Sequence, residues 1–181
     1  MLEQRIQQQF FDSADLQYQT AELLARPIAE AVNAVVGAIT AGGKVMLCGH
    51  DGGQALAQHG AASLVGRFER ERPPLAAVAL KADAREVQAL GLPGDVLIVL
   101  DPSARATEAT LALVGAAHGK DMSVVLIAGQ DAGALRETLS ETDVLIAVPH
   151  ERMARVMETH LLVLHALCDA VDMQLMGEQE L

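Results

Sequence analysis

The chain has 181 residues, of which 51% are hydrophobic and only 2% aromatic, so its core must be built from aliphatic side chains. A formal net charge of −11 disfavours direct binding to nucleic acid or to an anionic membrane, because both partners require a positive surface. No segment has the pattern of a signal peptide, and no apolar run is expected to span a membrane. Cys48 and Cys168 are expected to be buried free thiols, which indicates a cytoplasmic protein.

The N-terminal segment predicts two helices. Residues 4–25 carry apolar side chains among many polar ones, and Pro27 is suited to the first turn of a second helix over residues 28–40. The second helix has the apolar stripe that is typical of a packed helix. We expect a helical hairpin over residues 1–41 that packs on a partner subunit or on a flank of a sheet.

Residues 44–72 predict a buried strand, a glycine loop and a helix. The strand is the apolar run at residues 44–48, and Gly49, Gly52 and Gly53 allow a tight turn with positive φ. A helix-forming segment follows the loop. The free N–H groups and the dipole at such a helix start form a typical anion site.

The rest of the chain alternates apolar runs with helical segments. Four further strands are predicted at residues 75–80, 95–100, 123–127 and 144–148. Helices fit at residues 107–118 and 132–139, and residues 81–94 are long enough for a crossover with a short helix. This alternation predicts a parallel sheet covered on both faces, a three-layer α/β/α sandwich.

A long helix is predicted over residues 152–176. Apolar side chains lie on most of its sides, so the helix should be buried on most sides. In a small domain this favours an interface between subunits of a homo-oligomer.

The sequence resembles SIS (sugar isomerase) domain proteins, and within them the phosphoheptose isomerases and the DnaA initiator-associating proteins. The resemblance covers nearly the whole chain and is strongest in GRFERERPPLAAVAL, at residues 66–80. It implies one SIS domain over residues 1–181 with a five-stranded parallel, Rossmann-like sheet. This domain would consist of the hairpin, an α/β core over residues 42–151 and a C-terminal helix over residues 152–181. The resemblance also implies a homodimer or homotetramer with sites between subunits.

The resemblance places two sugar-phosphate loops in the chain. Their positions are His50, Asp51, Gly52 and Gly53 in the first loop and Asp101, Ser103 and Arg105 in the second. The related isomerases have a serine at the position of Gly53. Asp101 and Pro102 suit the start of a helix, where the Asp101 carboxylate would take the N–H groups that a phosphate needs. A phosphate about 4 Å from that carboxylate would be repelled by on the order of 4 kcal/mol. Arg105 offsets this only if it turns inward, so both loops are expected to be closed to sugar phosphates.

The resemblance also points to a catalytic set. In the isomerases, the helix that follows the first glycine loop carries a metal-binding histidine and a glutamate base. These positions are His59 and Ser63 here. The last helix of the isomerases carries a glutamine and a histidine, here Met157 and His165. A serine cannot by itself move a proton between C1 and C2 of a sugar.

The catalytic and metal assignments therefore stay open. His59 and His165 are the catalytic candidates, and no cofactor is expected. A zinc ion bound by His59, His165 and Glu158 is the alternative to two buried, hydrogen-bonded histidines. His160 is expected to be structural or to lie at an interface.

Three functions remain open from the sequence. The preferred one is a catalytically degenerate, oligomeric scaffold or regulator of the DnaA initiator-associating type. Leu175 and Met176 would then contact a partner such as a replication initiator, unless they simply pack. The second is a phosphoheptose isomerase that acts on sedoheptulose 7-phosphate. The third is a module that binds an unphosphorylated or amino sugar through Asp51 and Asp101.

Overall fold

The computed structural model describes residues 1–103, 107–130 and 132–177. Helices and parallel strands alternate along most of this part of the chain. In chain order the elements are α1 (Leu2–Thr40), β1 (Val45–Gly49), α2 (Gly53–Val65), β2 (Ala77–Ala79), α3 (Ala84–Leu90), β3 (Val96–Asp101), α4 (Glu108–His118), β4 (Ser123–Ala128), α5 (Gly133–Thr138), β5 (Val144–Ala147) and α6 (Met153–Met176).

The strands form one parallel sheet in the order β2-β1-β3-β4-β5. β1 and β3 are buried along their whole length, as expected of strands covered on both faces. β2 is shorter than predicted, because it is an edge strand that follows Pro73 and Pro74, which have no N–H to donate.

Two hydrophobic clusters cover the two faces of the sheet. Alternate residues of β1 point to opposite clusters: Leu47 packs with α1, α2 and α6, and Met46 packs with α3 and α4. The alternation follows from the period of two in a strand. The predicted three-layer α/β/α sandwich with a five-stranded parallel sheet is confirmed.

The N-terminal segment is one continuous helix, Leu2–Thr40, so the predicted hairpin is wrong. Pro27 lies inside this helix and removes only one backbone hydrogen bond, the one to the Leu23 carbonyl. Leu23 is exposed, so water can satisfy that carbonyl. Leu24 before the proline and Val32 after it are buried in the same cluster. Packing along one face therefore outweighs the local preference of proline to begin a helix.

In the described part of the chain, α1 alone is long and apolar enough to cross a membrane by length and composition. The sequence prediction that no run reaches that length is therefore wrong by this criterion. The criterion is weak evidence, because core helices of soluble proteins also meet it. α1 makes extensive contacts with α6 and carries charged residues along its length, including Asp12, Arg26 and Glu30.

Candidate functional site

The order of the strands places a topological switch point, where a crevice is expected, at the carboxyl ends of β1 and β3. The chain leaves β1 toward β2 on one side and returns through β3 on the other side of β1. In open parallel sheets, ligands bind at such a point of reversal. The first loop, after Gly49, and the second loop, after Asp101, both start at this edge. The N–H of His50 donates to the Leu100 carbonyl at 3.2 Å and joins the two loops.

The first loop is folded tightly against the end of β3. A Cβ on Gly53 would lie 2.3 Å from the Leu100 carbonyl oxygen, so a serine cannot replace Gly53 without a shift of the backbone. The positive φ of this loop belongs to Asp51, at 48°, and not to the predicted glycines. Aspartate tolerates this conformation better than most residues because its short polar side chain can hydrogen-bond locally.

The start of α2 has no side-chain cap. Gly52 is its N-cap residue, and Asp51 is exposed. Both loops are expected to be closed to sugar phosphates, but no carboxylate caps the helix at the first loop. The N-terminal dipole of α2 has no side-chain carboxylate as a cap, and its first N–H groups, those of Gly53 and Gln54, donate to the His50 and Asp51 carbonyls at 2.8 and 3.3 Å.

The second loop also differs from its prediction. Asp101 is the last residue of β3, and α4 starts after Thr107, whose hydroxyl oxygen accepts from the Thr110 N–H at 3.1 Å. Asp101 is only 1% exposed, and its carboxylate accepts from the N–H and hydroxyl of Ser103 and from the Thr110 hydroxyl at 2.6 Å. The carboxylate is thus turned into the protein and does not cap a helix. Arg105 lies outside the described residues.

His59 of α2 and His165 of α6 are in direct contact. Their Nε2 atoms are 2.9 Å apart, and the rings meet edge to face. One of the two nitrogens must donate and the other accept, so at least one ring is neutral. Burial and the neighbouring His59 lower the pKa of His165, and Glu69 opposes this shift. A histidine with a lowered pKa is neutral at pH 7 and can accept a proton.

Two other predicted residues do not join this pair. The Ser63 hydroxyl donates to the His59 carbonyl at 3.0 Å, one turn earlier in α2. Glu158 accepts from the Ser13 hydroxyl at 2.7 Å and forms an ion pair with Arg155 at 2.7 Å. Each side chain is therefore occupied by an interaction that does not involve the histidine rings.

The proposed zinc set of His59, His165 and Glu158 does not fit the structure. Catalytic zinc usually has three protein ligands. The described residues contain no group of three His, Cys, Asp or Glu side chains that could hold a metal ion. The two imidazole nitrogens alone are fewer than such a site requires.

His160 is fully buried and supports the sheet. Its Nε2 lies 3.2 Å from the Ala128 carbonyl at the end of β4, which agrees with the predicted structural role. Burial lowers the pKa of His160 to about 4, so the ring is neutral.

At the end of α6, Leu175 packs against the core and Met176 is exposed. A partner contact of these two residues stays a prediction.

Sequence reasoning missed the residues that surround His165 after α2. Phe68 lies with its ring centroid 5.2 Å from that of His165, and Glu69 acts on the same ring. Both belong to residues 66–80, the strongest part of the resemblance, which was the available signal.

Comparisons with known proteins identify close relatives. The SIS domain family matches residues 9–92. A phosphoheptose isomerase of Methylibium petroleiphilum is 55% identical over 100% of this chain and 98% of the relative. A phosphoheptose isomerase of an Azoarcus strain is 43% identical over 97% of this chain and 98% of the relative. The structure of a phosphoheptose isomerase from Francisella tularensis matches with a TM-score of 0.89 and 34% identity, over 95% of this chain and 98% of that chain.

These relatives overturn the preferred interpretation of the sequence. A catalytically degenerate scaffold of the initiator-associating type was expected, because both loops and the glutamate position depart from the isomerase pattern. Relatives named as phosphoheptose isomerases instead match the chain along nearly its whole length, and the acidic side chains do not cap the helix starts. The chain belongs to the SIS-domain family and, within it, to the phosphoheptose isomerase type.

Proposed function

We propose that this protein is a phosphoheptose isomerase, which interconverts the ketose sedoheptulose 7-phosphate and its aldose isomer. The observation that carries the proposal is the contact between His59 and His165 on the two helices that flank the switch-point crevice. The 55% identity to a phosphoheptose isomerase across the whole chain supports the substrate class.

The spacing of the loop and the histidine pair suits such a substrate. Gly53 begins α2, and His59 lies six residues later, about 9 Å along the helix axis. The phosphate of a heptose 7-phosphate lies at the opposite end of the carbon chain from C1 and C2. A phosphate at the start of α2 would therefore leave the reacting carbons near the histidine rings.

The phosphate end would be attracted by the dipole of α2 rather than by salt bridges. The start of α2 has no side-chain cap and carries the partial positive charge of a helix N-terminus. This local positive potential would act against the net charge of −11, which is unfavourable for an anionic substrate.

The histidine pair would move the protons. A neutral imidazole takes the proton from C1 of the ketose, and the C1–H electron pair forms the C1–C2 double bond of an enediol. The C2 carbonyl oxygen takes up a proton at the same time. Return of a proton to C2 and loss of the proton from the C1 hydroxyl give the aldose, with no net oxidation. Hydrogen-bonded imidazoles suit this exchange because one ring can accept while the other donates.

The proposal is tested with purified protein and sedoheptulose 7-phosphate in D2O, followed by proton NMR. We expect conversion to the aldose with deuterium exchange at C1 and C2. His59→Gln and His165→Gln should each lower kcat by at least about a hundredfold. His118→Gln is the matched control, because His118 binds Asp143 ahead of β5, at the opposite end of the sheet. If the unmodified protein shows no turnover and no deuterium exchange, the assignment is refuted.

We also infer that the protein is a homo-oligomer. The outer face of α1 exposes a series of large apolar side chains, namely Leu2, Ile6, Phe10, Phe11 and Leu23. A largely apolar groove of about 420 Å³ lies between α1 and α6 and includes Leu24, Ile28 and Leu162. A second copy of this chain would cover these surfaces. Sedimentation velocity should give a dimer or tetramer at micromolar concentration, and a monomer would contradict the inference.

The cysteines support a location in the cytoplasm. Cys48 and Cys168 are buried free thiols, and burial raises the pKa of each thiol to about 12. Unpaired cysteines are typical of proteins from a reducing compartment.

A further inference from the structure

Arg72 is a buried arginine beyond the end of α2. Its side chain is 1% exposed and lies in the loop that follows the helix. Its Nη2 donates to the Ser63 carbonyl at 2.8 Å, and its Nη1 donates to the Leu64 carbonyl at 2.8 Å and to the Gly66 carbonyl at 3.2 Å. The Ser63 and Leu64 carbonyls have no partner further along the helix, although the Leu75 N–H also donates to the Leu64 carbonyl at 3.1 Å, and α2 has no basic residue in its last turn. Arg72 thus supplies the cation and the donors that the end of α2 lacks.

The same guanidinium is tied to α6. Its Nε donates to the Asp172 carboxylate at 2.5 Å, and the Asp172 side chain is also 1% exposed. Asp172 follows His165 by seven residues, which places both side chains on one face of α6, about 10 Å apart. Arg72 therefore joins the end of α2 to α6 on the face that carries His165.

The loop between α2 and Arg72 is fixed on the same side. Phe68 packs against the ring of His165, and the Arg70 guanidinium donates to the Gly177 carbonyl at 3.2 Å, beyond the end of α6. Because Arg72 ends this loop, its position also sets the position of Phe68. Besides the direct packing of α2 on α6, for example of Gly60 on Leu164, one charged group and one aromatic contact therefore join the two helices that carry His59 and His165.

We infer that Arg72, through its ion pair with Asp172 and its bonds to the last carbonyls of α2, is a positioning residue that keeps His59 and His165 in contact. The effect on turnover rests on the proposed isomerase function, whereas the effect on the ring contact does not.

The test uses Arg72→Lys, which keeps the charge but loses the planar fork that binds several acceptors at once. We expect loss of the nuclear Overhauser effect between the two imidazole rings in the full-length protein. We also expect kcat to fall by at least about tenfold, because small displacements of reacting groups have large effects on rate. KM for sedoheptulose 7-phosphate should change by less than about twofold, because the phosphate loops lie at the other end of α2.

A second variant separates the loss of positioning from a loss of the folded structure. Arg72→Met with Asp172→Leu replaces the buried pair by apolar side chains, a change that is often neutral for stability. It should lose the ring contact in the same way while it stays folded.

The matched control is Asp95→Asn. It breaks another partly buried ion pair, Lys44 with Asp95 at 2.5 Å, at the opposite end of the sheet. This variant should lower the melting temperature but keep the ring contact and kcat. Equal loss of kcat in Asp95→Asn and Arg72→Lys would mean that only stability matters and would overturn the inference.

The two proposals fail in different ways. If the unmodified protein does not turn over sedoheptulose 7-phosphate, the proposed function fails, but the ring contact in Arg72→Lys still tests the positioning role. If the unmodified protein is active and Arg72→Lys keeps both the ring contact and kcat, the positioning role is wrong and the function stands.

Discussion

The side chain of Met157 in α6 lies directly over Gly52 at the start of α2. A Cβ on Gly52 would be only 2.2 Å from the Met157 Cε. Met157 occupies the position where the resemblance places a glutamine, so a thioether replaces an amide at the edge of the first loop. A methionine has no strong hydrogen-bond donor, and it fills irregular space by rotation about its three side-chain bonds. The loop is therefore packed from α6 by a flexible apolar group.

The two adjacent glycines of this loop should respond differently to a methyl group. In Gly53→Ala the new Cβ meets the Leu100 backbone carbonyl at 2.3 Å, which cannot move without disturbing β3. We expect a loss of at least about 3 kcal/mol in the free energy of unfolding, measured with urea. In Gly52→Ala the Cβ meets only the end of Met157, so the loss should be about 1 kcal/mol.

Met157→Ala provides the control for this comparison. Combined with Gly52→Ala, it should show a favourable coupling energy, because the smaller side chain leaves room for the methyl group. Combined with Gly53→Ala, it should show none. Equal losses for the two glycine variants would contradict the packing described here.

Ser63 is expected to have no part in proton transfer. Its hydroxyl is bonded to the His59 carbonyl inside α2, and the residue is 8% exposed. Ser63→Ala should therefore keep kcat within about threefold, whereas His165→Gln loses it. Steady-state kinetics with sedoheptulose 7-phosphate measures both. A hundredfold loss of kcat in Ser63→Ala would show that the serine takes part in proton transfer and would contradict this assignment.

The acid side of the pH–rate profile should lie below the ordinary histidine range. His165 must be neutral to accept a proton, and burial together with His59 holds its pKa below 6.5. The midpoint of the decline in rate on the acid side should therefore lie below pH 6.5. A decline that is already complete at pH 6.5 would contradict this assignment.

The neighbours of His165 should shift its pKa in opposite directions. Glu69 raises the pKa, so Glu69→Gln should lower it further; His59 lowers the pKa, so His59→Gln should raise it. NMR titration of the His165 ring in each variant gives both signs without any enzymatic assay. A shift of the same sign in both variants would be inconsistent with the geometry.

Stability should depend on pH through His160. Its pKa is about 4 in the folded protein and about 6.5 in the unfolded chain, so the unfolded chain binds the proton more readily between these values. The neutral His160 ring contributes fully to the free energy of unfolding above pH 6.5. This contribution is lost as the pH falls toward 4, at about 1.4 kcal/mol per pH unit and about 3 kcal/mol in total. Urea unfolding at pH 7, 5.5 and 4.5 measures this dependence.

His160→Gln isolates that contribution from the carboxylates that titrate in the same range. The variant should be less stable at pH 7, because the ring fills a fully buried position. Its stability should nevertheless fall less steeply with decreasing pH than that of the unmodified protein. Parallel curves for the two proteins would show that His160 does not carry the effect.

The order of elements and the sheet were predictable because they depend on local patterns. Apolar runs such as residues 95–100, separated by helical segments, are typical of covered parallel strands. The helix predicted over residues 107–118 begins one residue before α4, which starts at Glu108 after the N-cap residue Thr107. The single helix Leu2–Thr40 was not predictable from Pro27, because the face that α1 buries along α6 and β5 exists only in the folded chain.

The sequence by itself determined the family, the layer architecture and the two histidines, because residue identity and periodicity are local properties of the chain. Only the tertiary structure decided the direction of each side chain. It turned Asp101 toward Thr110 and away from a helix start, and it brought His59 to His165 across 106 positions of the chain. Contacts between residues far apart in sequence depend on how α2 and α6 pack across the sheet, and this packing arises only when the whole core forms.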